Sequence, residues 1–335
     1  MSLPSPRFAT ARRARYRRIR ALLSAATVGA LCLASPGAAQ AYAGPGYVAG
    51  DVAAHDPSMV RTGDGRYYVY STHDLVEVRT STDRTNFTRA GSAFSKALTW
   101  TSSYGTTTDV WAPDVSYRGG KYLMYYSVSS FGTNNSAIGL ATSPSGAPGT
   151  WTDQGRVYSS KSGDNYNAID PNLVVDASGK WWLTFGSFWS GIKLIQIDPS
   201  TGKQLASNTT RYDLATRSSP GAVEAPFIYQ ANGWYYLYAS FDNCCQGASS
   251  TYKTVVGRSR TITGPYLDAT GKDMRNGGGT VINATQGGVH GPGGQSVMRD
   301  SDGDLIVYHY YTDTGATHLA VNRLVYDANG WPSLA

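Results

Sequence analysis

An all-β fold, a five-bladed propeller, follows from three observations: a unit repeated five times, glycine turns at fixed offsets, and no window fit for a long helix. The repeats start at His55-Asp56-Pro57, Trp111-Ala112-Pro113, Ile169-Asp170-Pro171, Glu224-Ala225-Pro226 and His290-Gly291-Pro292, with the prolines 56, 58, 55 and 66 residues apart. Each proline leads into an apolar strand, then a turn (Gly63-Asp64-Gly65, Gly119-Gly120, Ser178-Gly179, Asn232-Gly233, Asp302-Gly303), then an aromatic strand such as Tyr67-Tyr68-Val69-Tyr70 or Trp234-Tyr235-Tyr236-Leu237. Strand, glycine turn, strand is a hairpin signature. Further strand-like runs, such as Ala137 to Ala141 and Lys193 to Ile197, complete a four-stranded unit. A β-rich unit of this length, repeated around an axis, is a propeller blade. A β-sandwich also has many short strands, but nothing in it calls for a proline-led unit repeated five times. Gly and Pro interrupt the windows long enough for an amphipathic helix. Proline fits the first position of an innermost strand, where a missing N–H costs least. The run Ala320 to Leu324 is expected to pair near Gly46-Tyr47-Val48 and close the ring.

The chain has 335 residues, and its first 20 carry seven arginines and no acid. They run into an uncharged apolar stretch ending near Leu33, then Ala39-Gln40-Ala41. Basic region, short apolar core and small-residue cleavage site make residues 1–41 a secretory signal. Residues 42–335 are then expected to form one propeller domain. No stretch reaches the roughly 20 apolar residues of a membrane helix. The formal charge of +6 sits in the leader, so the remainder is close to neutral, and a nucleic-acid partner is not expected. Only 16% of residues are charged, against 24 Tyr, 8 Trp and 38 Gly, which suits an extracellular β protein whose aromatic faces stack on sugars. Cys32 leaves with the signal. Cys244 and Cys245 are adjacent, and the residues alone admit either two buried thiols or a bond through an eight-membered ring; two free thiols would be open to oxidation in an exported protein.

Three blade starts carry an acid beside the proline: Asp56, Asp170 and Glu224. Carboxylates gathered at a crowded axis repel and resist desolvation. A glycosidase needs such a group, one carboxyl protonated and one ionised across the scissile bond, with a third acid tuning the proton donor. Alone, Asp-Pro is a common turn opener; together the three point to catalysis. Asp114 follows its proline, and a structural role is expected for it.

These segments, with Asp109-Val110-Trp111-Ala112-Pro113-Asp114, Asn167-Ala168-Ile169-Asp170-Pro171-Asn172 and Gly186-Ser187-Phe188-Trp189-Ser190-Gly191, resemble glycoside hydrolase family 43, and within it the α-L-arabinanases, over roughly residues 48–330. The resemblance implies an inverting hydrolase cutting α-1,5-L-arabinan inside the chain. Asp56 would be general base, Glu224 general acid, and Asp170 the residue that tunes and orients the acid. Sugar contacts would come from Trp111, Phe131, Gly132, Asn167, Ser187, Phe188 and Trp189, against the plain alternative of core packing for Trp189 and Phe131. The run Phe241 to Gly247 resembles one in some members and favours the vicinal disulfide. One departure stands out: many arabinanases read Gly-Pro-Gly-His in the last blade, with the histidine near a central ion, usually calcium, whereas this chain reads Gly291-Pro292-Gly293-Gly294. His290 or His309 would have to substitute, and one imidazole makes a poor calcium site. No protein metal ligand and no organic cofactor is expected, a water-coordinated calcium or other ion at the propeller axis stays an open alternative, and the partner is plant cell-wall arabinan or its oligosaccharides, acted on by a monomer. Three rivals remain. An exo-acting α-L-arabinofuranosidase or β-xylosidase would differ in loops such as residues 99–108 and 209–219. A non-catalytic sugar-binding propeller would not need the acids. A five-bladed fructan hydrolase would use a retaining nucleophile with its own signature.

Overall fold

The structure is a computed structural model that describes residues 42–218 and 221–335; the expected signal, residues 1–41, lies outside the described residues. Five antiparallel sheets follow one another along the chain. The first combines Ser58–Arg61, Tyr67–Ser71, Glu77–Ser81 and Asn86–Ser92, with Ala49–Gly50 added in parallel to the last. The second runs from Trp111–Arg118 to Thr152–Ser160 and the fourth from Val223–Ala231 to Thr280–Asn283. The fifth runs from His290–Asp300 to Pro332–Leu334. In the third, the outer strand is split into Lys203–Gln204 and Tyr212–Ala215, both paired with Ile192–Asp198. Helical structure among the described residues is limited to three short 3-10 turns.

Each blade begins with the same backbone step. The residue before the proline has a positive φ in all five: Asp56 (47°), Ala112 (42°), Asp170 (58°), Ala225 (49°) and Gly291 (54°). For a non-glycine residue this left-handed conformation costs energy and must be held by its surroundings. In four blades the holding group comes from the preceding blade around the ring. The amides of Asp56, Ala112, Asp170 and Ala225 donate to His309 Nδ1 (3.1 Å), Thr72 Oγ1 (2.9 Å), Ser127 Oγ (2.9 Å) and Asp170 Oδ2 (3.0 Å). The prolines differ from expectation in three blades. The strands Trp111–Arg118, Val223–Ala231 and His290–Asp300 begin before their prolines, and the ladder shifts register there. A missing N–H is tolerated at such a bulge.

Side chains strap neighbouring blades near the axis. Ser58 Oγ accepts the Val115 amide at 3.0 Å, and Asp114 accepts the Leu173 amide (2.8 Å) and Asn172 Nδ2 (3.2 Å). Asn172 Oδ1 then accepts the Ile228 amide at 2.8 Å. Gln295 Nε2 donates to the Ala225 carbonyl at 2.7 Å, and Ser296 Oγ to that of Pro57 at 2.8 Å, which completes the circle. Between the blades lie five apolar clusters. Four join consecutive blades, and the fifth sets Met59, Val69 and Phe87 of the first against Leu305, Val307 and Leu319 of the last. This fifth cluster closes the ring.

The expected closure by strand pairing is thereby corrected. The fifth blade is built wholly from residues 290–334, and the N-terminal segment lies along it without adding a strand. Gly46 donates to Asn322 Oδ1 (3.1 Å), and the Leu319 amide donates to the Val52 carbonyl (2.7 Å). Gly46 must be a glycine, because a Cβ there would lie 1.9 Å from the Val321 carbonyl oxygen.

Asp114 is fully buried, and burial, opposed by its two donors, lifts its carboxyl to about 6. Asp114→Ala leaves two buried donors unpaired and is expected to cost about 2–3 kcal/mol, measured as a lower denaturant midpoint with the m-value unchanged. The folded state of the parent binds the Asp114 proton more tightly than the unfolded chain does. Its stability should therefore fall as pH rises from about 4 to about 6, and the variant should lose that slope.

Candidate active site

The three acids meet at the floor of a cleft of about 1000 Å³ that opens on one end of the axis. Asp56 and Asp170 occupy the left-handed step itself, whereas Glu224 lies one residue earlier, in the position of His55 in the first blade. The repeat positions are thus not equivalent, yet all three carboxyls line the cleft.

Their surroundings differ. Asp56 Oδ2 accepts His55 Nδ1 at 2.8 Å and Thr72 Oγ1 at 2.7 Å. Burial disfavours its charge, but His55 and the hydrogen bonds outweigh burial and hold the carboxyl well below the ordinary range, so it is ionised. Glu224 Oε2 accepts Ser187 Oγ at 2.6 Å, and Oε1 accepts the Tyr252 hydroxyl. Burial lifts Glu224 above the usual glutamate value against these two donors, and the Asp56 charge adds to the rise. Asp170 is pushed up further, by burial first and then by the charges of Glu224 and Asp56. Its visible link to Glu224 is through the backbone, since it accepts the amide of the next residue, Ala225. One carboxylate beside two carboxyls that favour the proton can both activate a water and protonate a leaving oxygen.

All seven expected sugar-contact residues line the same cleft. Phe131 is 86% exposed and Trp189 43%, which rules out core packing for either. Trp111 is held by its indole N–H on Asp109 Oδ2 (2.9 Å). Phe188 and Trp189 both have positive φ, in a tight loop pinned by the Phe188 amide on the Val223 carbonyl (2.9 Å). Two residues are committed elsewhere. Asn167 is buried, with Oδ1 taking Ser136 Oγ at 2.6 Å, and the Ser187 hydroxyl faces Glu224. Among the described residues, those of the loops expected to shape the groove (99–108 and 209–218) are not in its lining. Residues 99–108 fold on a 3-10 turn, and residues 209–218 include the outer strand Tyr212–Ala215. The cleft walls come instead from Ser130, Phe131 and Thr133 on one side and Asn243, Gln246 and Gly315 among others.

Three site residues have no signal in the motifs: Thr72, Tyr252 and Tyr311. Each sits at or just outside a strand end, where the blade repeat carries no acid or proline to mark it. His309 stacks on His55 with ring centroids 3.8 Å apart, and burial lowers it to about 3, so it is neutral. Its Nδ1 accepts the Asp56 amide, and its buried Nε2 has no partner. Nor does His290 reach the axis cluster; it pairs with Asp313 at 2.7 Å. His55, Asp56 and His309 are close enough to share an ion. Two imidazoles and one carboxylate, with both Nδ1 atoms already hydrogen-bonded, do not fit calcium, which takes six to eight oxygens. Cys244 and Cys245 are joined as a vicinal disulfide on the cleft wall.

Known proteins share this arrangement. The sequence matches the model of Glycosyl hydrolases family 43 over residues 49–332. It is 47% identical over 287 residues to the extracellular endo-α-(1→5)-L-arabinanase 1 of Bacillus subtilis, covering 83% of this chain and 87% of that one. Among solved structures, a GH43 endo-arabinanase from Bacillus licheniformis superposes with a TM-score of 0.81 at 46% identity, covering 86% of this chain and 99% of that one. An exo-1,5-α-L-arabinanase from a bovine ruminal metagenomic library gives 0.79 at 39% identity, covering 85% and 98%. A five-bladed propeller whose axial acids line an aromatic-walled cleft, matched over nearly all its described length, places the chain in glycosyl hydrolase family 43, and it is a glycoside hydrolase.

Proposed function

We propose that this chain is a secreted endo-1,5-α-L-arabinanase acting by inversion, with residues 42–335 as its single catalytic domain. The carrying observation is the contrast between Asp56, held ionised by His55 and Thr72, and Glu224, lifted by burial in the same cleft. Asp56 takes a proton from water as it attacks the anomeric carbon. Glu224 gives its proton to the departing glycosidic oxygen, and Asp170 holds the Glu224 backbone through Ala225. Trp111, Phe131, Phe188 and Trp189 supply flat walls for furanose rings, and Gly132 keeps the rim beside Phe131 free of a side chain. Asn167 acts through the wall it braces, and Ser187 through Glu224. Two carboxyls and water complete the reaction without an organic cofactor. The basic, then apolar leader and the word extracellular in the name of the B. subtilis relative support export. The endo mode rests on the names of that relative and the B. licheniformis structure. The ruminal exo-arabinanase keeps an exo-acting reading alive.

Debranched linear arabinan should yield mixed short oligomers from the first minutes; a single small product from the start would establish the exo mode. Asp56→Ala and Glu224→Ala should each lower kcat on arabinan by about 10³-fold or more. An aryl arabinofuranoside with a good leaving group should restore much of the rate to Glu224→Ala and none to Asp56→Ala. Proton NMR of the nascent product should show the β anomer first; an initial α anomer would establish retention.

Activity needs Glu224 protonated, so the rate should fall as pH rises through its raised pKa. The Tyr252 hydroxyl stabilises the Glu224 anion. Tyr252→Phe should therefore move the basic limb of kcat to higher pH, read from a pH–rate profile.

A further inference from the structure

The vicinal disulfide and Tyr311 form a device that the two-carboxylate reaction does not require. The loop that bears the disulfide is tied down at several points. Asp242 binds Arg217 Nη1 (2.5 Å) and Lys253 Nζ (2.7 Å), the Thr251 amide donates to the Asn243 carbonyl (2.9 Å), and the Gln246 amide donates to Ser250 Oγ (2.9 Å). Within it, Cys245 has a φ of 66°, a left-handed residue that ring closure with Cys244 helps to hold. Its amide donates to Tyr311 Oη at 3.2 Å. Tyr311 Oη lies 2.9 Å from His55 Nε2, and His55 Nδ1 lies 2.8 Å from Asp56 Oδ2. Cys244 Sγ lies 3.4 Å from both Tyr311 Oη and His55 Nε2.

Proton accounting gives this chain a direction. An ionised carboxylate only accepts, so His55 Nδ1 carries a proton. Burial lowers the His55 pKa, but the Asp56 carboxylate outweighs it and raises it, and at a pH above that raised value the neutral ring leaves Nε2 as an acceptor. The donor for Nε2 is the Tyr311 hydroxyl, which burial pushes up to about 12 and so keeps protonated. Tyr311 is committed to that direction because its oxygen already takes the Cys245 N–H, and its other neighbour, the Cys244 sulfur, is a weak acceptor.

Building on the reading of Asp56 as the base, we propose that Tyr311 and the Cys244–Cys245 disulfide are positioning elements that fix the Nδ1–H tautomer of His55 and through it aim the Asp56 carboxylate, so that full turnover requires the closed disulfide. Opening the bond frees the Cys245 amide from its fixed direction. Tyr311 then has a second orientation that no longer donates to Nε2, and the Nδ1–H tautomer of His55 is held by Asp56 alone. An imidazole in the wrong tautomer beside its carboxylate is among the more damaging single changes known in catalytic sites.

The test treats the protein with a phosphine, which reduces the S–S bond to two thiols with two electrons and two protons while water converts the phosphine to its oxide. The tautomer of His55 is read by 15N NMR of the imidazole nitrogens, at a pH where the ring is neutral; there are five histidines in the whole sequence. The oxidised enzyme should show His55 as Nδ1–H. Reduced enzyme and Tyr311→Phe should show a mixture, with kcat on linear arabinan lowered by on the order of 10-fold, part of what a general base supplies, and KM within about 2-fold. Reoxidation should restore both signals. The double variant Cys244→Ser with Cys245→Ser should have the lowered kcat and ignore the phosphine. An unchanged tautomer and kcat after reduction and in Tyr311→Phe would overturn the proposal. So would a raised KM with kcat and tautomer intact, which would make the disulfide a sugar contact instead. The NMR reading needs no substrate, so a correct tautomer response in a protein inert on arabinan would refute the proposed function and not this inference.

Discussion

At the start of each inner strand one residue turns left-handed before a proline, and in four blades its amide is caught by a side chain of the preceding blade. This step sets where the active site can be. It turns the chain sharply into the axis, so that what it carries converges with its counterparts from other blades. It also explains the double duty of several residues. His309, Thr72 and Asp170 each hold the next blade's strained amide while touching, or being, an acid of the cleft. The scaffold and the site share hydrogen bonds, so a site variant is also a blade-junction variant, and stability should be measured beside activity.

Three acids of similar intrinsic acidity diverge because each meets different neighbours. Burial raises all three. Only Asp56 has a proton-bearing imidazole and a hydroxyl on one oxygen, and that is enough to reverse the direction. Glu224 has two hydroxyl donors, which do not outweigh burial. Asp170 has one backbone donor and two acidic neighbours, and its proton is held most firmly. Asp114, a fourth buried acid near the axis, is also lifted by burial, but both its oxygens strap the second blade to the third.

Much of this was legible from sequence because the repeat makes it so. Proline spacing located all five blades, and an acid one or two residues before a blade-start proline located all three carboxyls. Register was less legible: Glu224 precedes its proline by two residues, and only the backbone shows that it still reaches the cleft. Tyr252 and Tyr311 lay beyond reach, and so did the contact of His309 with the Asp56 amide, because their meeting depends on contacts over tens to hundreds of residues where the repeat leaves no mark. Residues 209–218 read as a loop because the outer strand of the third blade is broken into two short pieces. Asn167 and Ser187 were found by motif, but their partners, the Ser136 hydroxyl and the Glu224 carboxylate, were not visible in it.

The ring has no shared blade, and this shapes the order in which it can be made. Met59 and Phe87 pack against Leu305 and Leu319, and Tyr67 and Arg84 bind Asp300, across more than 200 residues of sequence. Such a contact carries a large loop-closure cost and forms only once the intervening blades stand in place. A chain delivered from its N-terminus therefore exposes the apolar flank of its first blade until the last has arrived. The N-terminal segment around Val48 and Val52 packs on that same flank and shortens the exposure.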